Sequence, residues 1–226
     1  MLKKVGYWIH DYLHALHKQS YAFLYRKPPK HYLGHIIANK YPIVLIPGIY
    51  EKWHFLKAIA DPLSLKGHPI YVLEHLGYNT KAIPHSAKLV RELIDSEKLE
   101  NVVIIAHSKG GLIGKYLLVF NNDDEKVKKL IAIATPFGGS HIVTLIPHKP
   151  AKELHPRSEI IRKLGERKDV NNKIVSIFGM FDNHVWPESS CVLGGAKNIK
   201  VGIYGHHKIL FNKKIKEIVA AEIEKL

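Results

Sequence analysis

The stretch Asn101-Val-Val-Ile-Ile-Ala-His107-Ser108-Lys-Gly-Gly-Leu112 leaves a chain few ways to fold. An unbroken run of β-branched residues is the pattern of a parallel strand buried on both faces. Within a few residues it gives way to Leu112, Ile113, Tyr116, Leu117 and Phe120, which recur at helical spacing. Ser108 therefore falls on a strand-to-helix corner. A hydroxyl held there stands clear of the sheet, and the helix amino terminus aims NH groups at negative charge developing beside it. The corner brings two backbones close and needs small neighbours: Ala106 lies two residues before Ser108 and Gly110 two after. A Ser-x-Gly triplet can also be a plain helix cap, so the rest of the chain must decide between the two.

Other segments repeat the alternation. Ile43-Val-Leu-Ile46 is a buried strand that ends in Pro47-Gly48-Ile49-Tyr50, followed by a helical pattern from about His54 through Leu65. Pro69–Leu73, Lys129–Ala134, Lys173–Phe178 and Asn198–Tyr204 are predicted strands; Ser86–Lys98 is a predicted helix with Leu89, Val90, Leu93 and Ile94 on one stripe. A last helix, with Ile209, Leu210, Ile215, Ile218 and Val219, is expected to open at Gly205-His206-His207. Strand, helix, strand, helix predicts an α/β fold with a doubly wound, mostly parallel sheet. Ligands bind such sheets beyond the carboxyl ends of the strands, where both Ile49 and Ser108 would lie.

The 226 residues suit one domain. The first 34 read as an amphipathic helix and linker and 35–226 as the main domain, within which about 141–169 is a small cap or lid holding Pro147, Pro150, Pro156 and the apolar Ile142, Val143, Leu145 and Ile146. In the helix, Val5, Trp8, Ile9, Tyr12, Leu13 and Leu16 follow spacings of three and four; the pattern extends toward Phe23 and stops before Arg26-Lys-Pro-Pro-Lys30. Either it packs across the domain or it lies on a membrane surface.

A net charge of +14, from 34 Lys+Arg against 20 Asp+Glu, attracts anionic surfaces and allows peripheral contact with an anionic membrane. No module specific for nucleic acid accompanies it. The sixteen histidines are scattered without HExxH or Cys/His spacing, so no metal site is expected. Cys191, the single cysteine, cannot form an internal disulfide, and no apolar run approaches the roughly 18 residues of a membrane span. A cytoplasmic, membrane-peripheral location is the resulting expectation, and the oligomeric state is left open.

Ala106-His107-Ser108-Lys109-Gly110 resembles the GxSxG nucleophile elbow of α/β-hydrolases, in the AHSxG form of small bacterial lipases; Ala106 stands in place of the first glycine. The resemblance implies an oxyanion hole from the backbone NH groups of Ile49 and Lys109, with Pro47 where a histidine is usual. Thr135-Pro-Phe-Gly-Gly-Ser140 is similar to the TPxxGS loop lining lipase pockets, and the segment from Phe181 to Leu210, with Asp182-Asn-His-Val185, Leu193-Gly-Gly-Ala196 and Gly205-His206, is similar to the acid-to-histidine segment of minimal lipases. In all it covers about Pro42 to Leu226. It implies the minimal α/β-hydrolase fold and a Ser108–His206–Asp182 triad, with His207 as rival base. Tyr50, His107, Phe137, Ile142 and Val185 would line the substrate pocket. The implied activity is cleavage of small-molecule or lipid carboxylic esters through an acyl-enzyme, without a cofactor. A thioesterase, amidase or acyltransferase would use the same groups, and a catalytically silent, basic, membrane-associating binding protein is the alternative of another class.

Overall fold

The computed structural model describes residues 2–20, 27–145 and 149–226. The expected extension toward Phe23, Arg26 at the linker, and Ile146 and Pro147 of the cap lie outside them. In chain order the helices are α1 (Leu2–Ser20), α2 (His31–Gly34), α3 (Lys57–Leu65), α4 (Ile83–Ser96), α5 (Lys109–Phe120), α6 (Lys149–Lys152), α7 (Glu159–Glu166) and α8 (Lys213–Ile223). The strands are β1 (Ile43–Ile46), β2 (Ile70–Val72), β3 (Val102–His107), β4 (Val127–Ile133), β5 (Ile174–Phe181) and β6 (Lys197–Tyr204).

All six strands run parallel in the order β2-β1-β3-β4-β5-β6. The chain goes outward from β1 to β2 and then returns to place β3 on the other side of β1. The topological switch point of the sheet is therefore between β1 and β3, where α/β sheets open a ligand crevice. The β-branched runs follow from burial on both faces. Val102, Ile104 and Ala106 pack with α4 and α5 on one side, and Val103 and Ile105 pack with α3 and α8 on the other.

α7 begins where Ser158 caps the Ile161 NH at 3.3 Å, and α8 where Asn212 caps Lys214 NH at 2.9 Å. The expected opening of the last helix at His206 is corrected: Gly205 turns the chain at φ +111°, a 3₁₀ turn covers Lys208–Phe211, and α8 starts only after the Asn212 cap. The apolar stripe of α1 also divides. Trp8, Tyr12 and Leu16 border a cavity, Leu16 at its exposed edge, while Ile9 and Leu13, 57% and 63% exposed, do not. No helix among the described residues is long and apolar enough to cross a membrane.

One glycine fixes how α5 meets the sheet. A Cβ on Gly110 would stand 2.2 Å from the Ile46 carbonyl oxygen, which belongs to the backbone and cannot swing away. Gly110→Ala should therefore lower stability by about 2 kcal/mol or more. Gly165→Ala in α7, where nothing lies within 4 Å of the added carbon, should be neutral or stabilising by up to about 1 kcal/mol. Denaturant midpoints of both variants check this, and equal effects would mean that the close approach is not limiting.

Candidate active site

Ser108 occupies the corner between β3 and α5 with φ 51° and ψ −122°. A non-glycine residue there carries strain on the order of 1–3 kcal/mol, kept only where the surroundings leave no alternative. Here β3 is paired on both sides, with Ala106 opposite Ile46 and Ala132, and the Ser108 NH donates to the Ile133 carbonyl at 2.9 Å. Lys109 follows as the first residue of α5, so its NH is among those a helix leaves without an internal partner. Its side chain turns away: it is fully buried and Nζ donates to the carbonyls of Asn79 and Lys81. Burial lowers its pKa to about 8 against the opposing charge of Glu153.

The loop after β1 is fastened at several points. Asn79 Nδ2 donates to the Pro47 carbonyl at 2.7 Å, the Tyr50 NH to the Tyr78 carbonyl at 2.8 Å, and the Gly48 NH to Glu51 Oε2 at 2.7 Å. Glu51 is buried and meets His107 Nδ1 at 2.9 Å; His107 Nε2 in turn lies 3.1 Å from the His206 carbonyl oxygen. A relay of polar contacts thus joins the loop carrying Ile49 to the backbone of His206. Burial raises the Glu51 pKa, but the charge of His107, its hydrogen bond, and the Gly48 NH outweigh this and bring it to about 2. Burial pulls His107 below the usual imidazole range, and Glu51 only partly restores it.

Asp182 and His206 follow the ends of neighbouring parallel strands in which Phe181 pairs with Tyr204, and so they come side by side. His206 Nδ1 donates to Asp182 Oδ2 at 2.7 Å, and both residues are buried. Asp182 Oδ1 accepts from the NH groups of His184 at 2.7 Å and Val185 at 2.9 Å, and Asn183 Oδ1 accepts the His206 NH at 2.9 Å. Burial lowers the His206 pKa, but the Asp182 charge and hydrogen bond prevail and raise it; the Asp182 pKa, raised by burial, is carried below its ordinary value by His206. His207 is held by another acid: its Nδ1 donates to Asp11 Oδ2 of α1 at 2.9 Å.

Ser108, His206, His207 and His184 all border a cavity of about 610 Å³. Ile49, Tyr50, Ile142 and Val185, named from the sequence, line it, while His107 and Phe137 do not. His107 is taken up by Glu51, and Phe137 packs into the core beside α5. Trp8, Tyr12, Leu16 and Gln19 close one side of the cavity, so α1 is part of its wall. Glu51, Asp11 and His184 were not singled out from the sequence. Only Glu51 left a local trace there, three residues beyond Gly48 at the end of a buried strand.

A family model described as the alpha/beta hydrolase fold matches residues 41–158. A curated protein of Mycoplasma pneumoniae, provisionally named an esterase/lipase, is 34% identical over 79 residues, which are 34% of this chain and 28% of that protein. The matched part thus spans under a third of that relative. Among solved structures, the mature form of a Bacillus licheniformis lipase superposes with a TM-score of 0.69 at 15% identity, covering 84% of this chain and 95% of that one. A hydrolase from Oleispira antarctica gives 0.64 at 14% identity over 84% and 93% of the two chains, and a monoacylglycerol lipase from Paleococcus ferrophilus 0.57 at 14% over 82% and 95%. At such identities the likeness is one of fold.

The shifts set opposite pH dependences. With its folded pKa raised, His206 stabilises fully below its ordinary 6.5, and this is lost as pH rises through the raised value. Asp182, lowered, stabilises above its ordinary 3.8 and loses this as pH falls through the lowered value. His184 runs the other way. Burial and then the charges of His206 and His207 hold it at about 3, so acidification from 6.5 toward about 3 protonates it more readily in the unfolded chain and costs stability. His184→Gln should flatten the decline of stability over that window, followed by denaturation against pH. Asp182→Asn should lower the His206 pKa read from its ring-proton resonances; a value left unmoved would mean that the pair does not set it.

Proposed function

The chain belongs to the alpha/beta hydrolase family, and from that premise we propose that it is a serine hydrolase that cleaves carboxylic esters through an acyl-enzyme. One observation carries this reading: His206, paired at 2.7 Å with the buried Asp182, borders the same cavity as a serine fixed at positive φ before a helix amino terminus. In the proposed reaction the Ser108 hydroxyl attacks the ester carbonyl, and His206 takes its proton and passes it to the leaving alcohol. Asp182 holds the Nδ1 proton and stabilises the imidazolium. The NH groups of Ile49 and Lys109 bind the oxyanion, and water then releases the acid through the same histidine. None of these steps calls for a cofactor.

We read residues 1–34 as an addition to the hydrolase domain of 35–226, and 141–169 as its cap. The cavity wall supports an acyl lipid as substrate: Trp8, Leu16, Ile142, Val143 and Leu145 surround the polar floor. Leu145 is 74% exposed at its rim, and Ile9 and Leu13 face outward from α1. With a net charge of +14, these residues support peripheral docking on anionic membrane. The esterase/lipase and monoacylglycerol lipase names of the relatives agree with this class.

A fluorophosphonate probe should label the wild type and leave Ser108→Ala unlabelled; an inert wild type would favour a binding protein that keeps the fold. On p-nitrophenyl esters, Ser108→Ala and His206→Ala should each lower kcat by on the order of 10⁴-fold or more. His207→Ala should lose far less, and a loss confined to His207→Ala would reverse the choice of base. Leu13→Glu should weaken co-sedimentation with phosphatidylglycerol vesicles without changing hydrolysis of a short soluble ester. Equal vesicle binding would remove α1 from membrane contact.

A further inference from the structure

Another constellation reaches the same cavity and has no part in the reaction above. Asp11, from α1, His184, from the loop after β5, and His207, after β6, each present one carboxylate or imidazole ligand atom, all within 4.8 Å of one another. The three come from distant parts of the chain, and no sequence spacing announces them.

His184 is the informative member. Its Nε2 lies 2.9 Å from the Tyr12 hydroxyl, and its Nδ1 is buried with no hydrogen-bond partner among the described residues. Buried polar atoms are almost always paired. When Nε2–H donates to the Tyr12 oxygen, Nδ1 carries the lone pair, the arrangement by which an outer hydrogen bond fixes a metal-ligating histidine. Beside it His207 Nδ1 shares a proton with Asp11 Oδ2 at 2.9 Å, a proton that a cation can replace. Asp11 is fixed in place because its Oδ1 accepts the His207 and Lys208 NH groups, each at 3.0 Å.

We propose that Asp11, His184 and His207 form a binding site for zinc ion at the floor of the cavity. Two imidazoles and a carboxylate with a fourth position open are a zinc donor set; here His184 and His207 border the cavity and Asp11 lies buried behind them. Asp182, His184 and His206 also lie within the 4.8 Å limit. In both sets an imidazole Nδ1 is bonded to the carboxylate, at 2.7 Å for His206 with Asp182 and 2.9 Å for His207 with Asp11; the Asp11 set differs in that its histidine is the more exposed, 12% against 4%, while Asp11 itself is fully buried. Donor atoms bonded at about 2 Å to one ion lie roughly 3.3 Å apart; Asp11 and His207 are already 2.9 Å apart, and rotation of the His184 ring would close the remaining separations, all within 4.8 Å. If the esterase reading above holds, an ion beside His206 blocks the cavity and suppresses turnover. The site does not depend on that reading.

The test is titration of the full chain with Zn²⁺ in competition with a chromophoric chelator, with ester hydrolysis followed over the same zinc range. One zinc per chain is expected, with hydrolysis falling as it binds. His207→Gln and His184→Gln should each weaken binding by at least about tenfold, and Ser108→Ala should leave it unchanged. Circular dichroism and Tm identify a variant that is not folded, and the other then decides. No stoichiometric zinc, or undiminished binding in both glutamine variants, would overturn the site, and full hydrolysis at full occupancy would overturn its blocking of the cavity. Loss of zinc in Asp182→Asn with retention in Asp11→Asn would overturn it as well, by moving the ion to the other set. A chain that hydrolyses no ester yet binds one zinc lost in His207→Gln would sink the esterase reading and leave the zinc site standing.

Discussion

The approach of α5 to the end of β1 sets the geometry of everything around it. With room for no more than a hydrogen atom between Gly110 and the Ile46 carbonyl, the helix starts directly over the sheet edge, and Ser108 has to make the corner at positive φ. β3 cannot relax to relieve it, because it is paired with β1 and β4. The strain is thus held by the sheet register and not by local hydrogen bonding of the serine side chain. Since the switch point is between β1 and β3, the corner also opens into the crevice that the topology provides.

What fills that crevice is held together by main-chain acceptors and donors as much as by side chains. Asn79 ties the loop after β1 to the segment ahead of α4, and Glu51 binds the Gly48 NH while holding His107 against the His206 carbonyl. A shift of the Ile49 loop would therefore be felt at His206, although the two are far apart in sequence. Preorganised backbone donors stabilise a developing oxyanion because they need not reorient as charge forms, and this relay supplies such rigidity. It also explains why His107, beside the serine, is absent from the cavity wall: its ring bridges two loops.

The strands and the corner could be read from the sequence because burial on both faces leaves a local signature, the continuous run from Val102 to Ala106. The pairing of Asp182 with His206 was legible at the level of strand order, since residues just past the ends of adjacent parallel strands must meet. Motif register selects His206 and leaves His207 as its rival, because the two rings are adjacent in sequence. The Phe181–Tyr204 pairing and the turn at Gly205 orient the two rings differently. Asp11 left no sign because its partner is 196 residues away and the contact exists only once α1 lies over the cavity. For the same reason the stripe of α1 looked like one apolar face, whereas Trp8 and Tyr12 face the cavity and Ile9 and Leu13 do not.

The histidines around the cavity differ chiefly in the acid each has been given. His206 has Asp182, His207 has Asp11 and His107 has Glu51, all buried carboxylates at hydrogen-bond distance. His184 touches Asp182 only through its backbone NH and its ring meets the Tyr12 hydroxyl in place of a carboxylate, so burial and then its cationic neighbours disfavour a proton there. A carboxylate partner alone does not decide which ring carries charge: burial keeps His107 below its ordinary value despite Glu51, whereas Asp182 overcomes burial and raises His206. The carboxylates also separate the two adjacent histidines by dependence. The acid of His206 comes from the sheet, and the nearer acid of His207 from α1, so lifting α1 would leave His207 with only Glu51 Oε1, 3.5 Å from its Nε2, and uncover the cavity while leaving the Asp182–His206 pair intact. A base supported by the sheet keeps its proton affinity whatever the helix does, and His206, not His207, has that support.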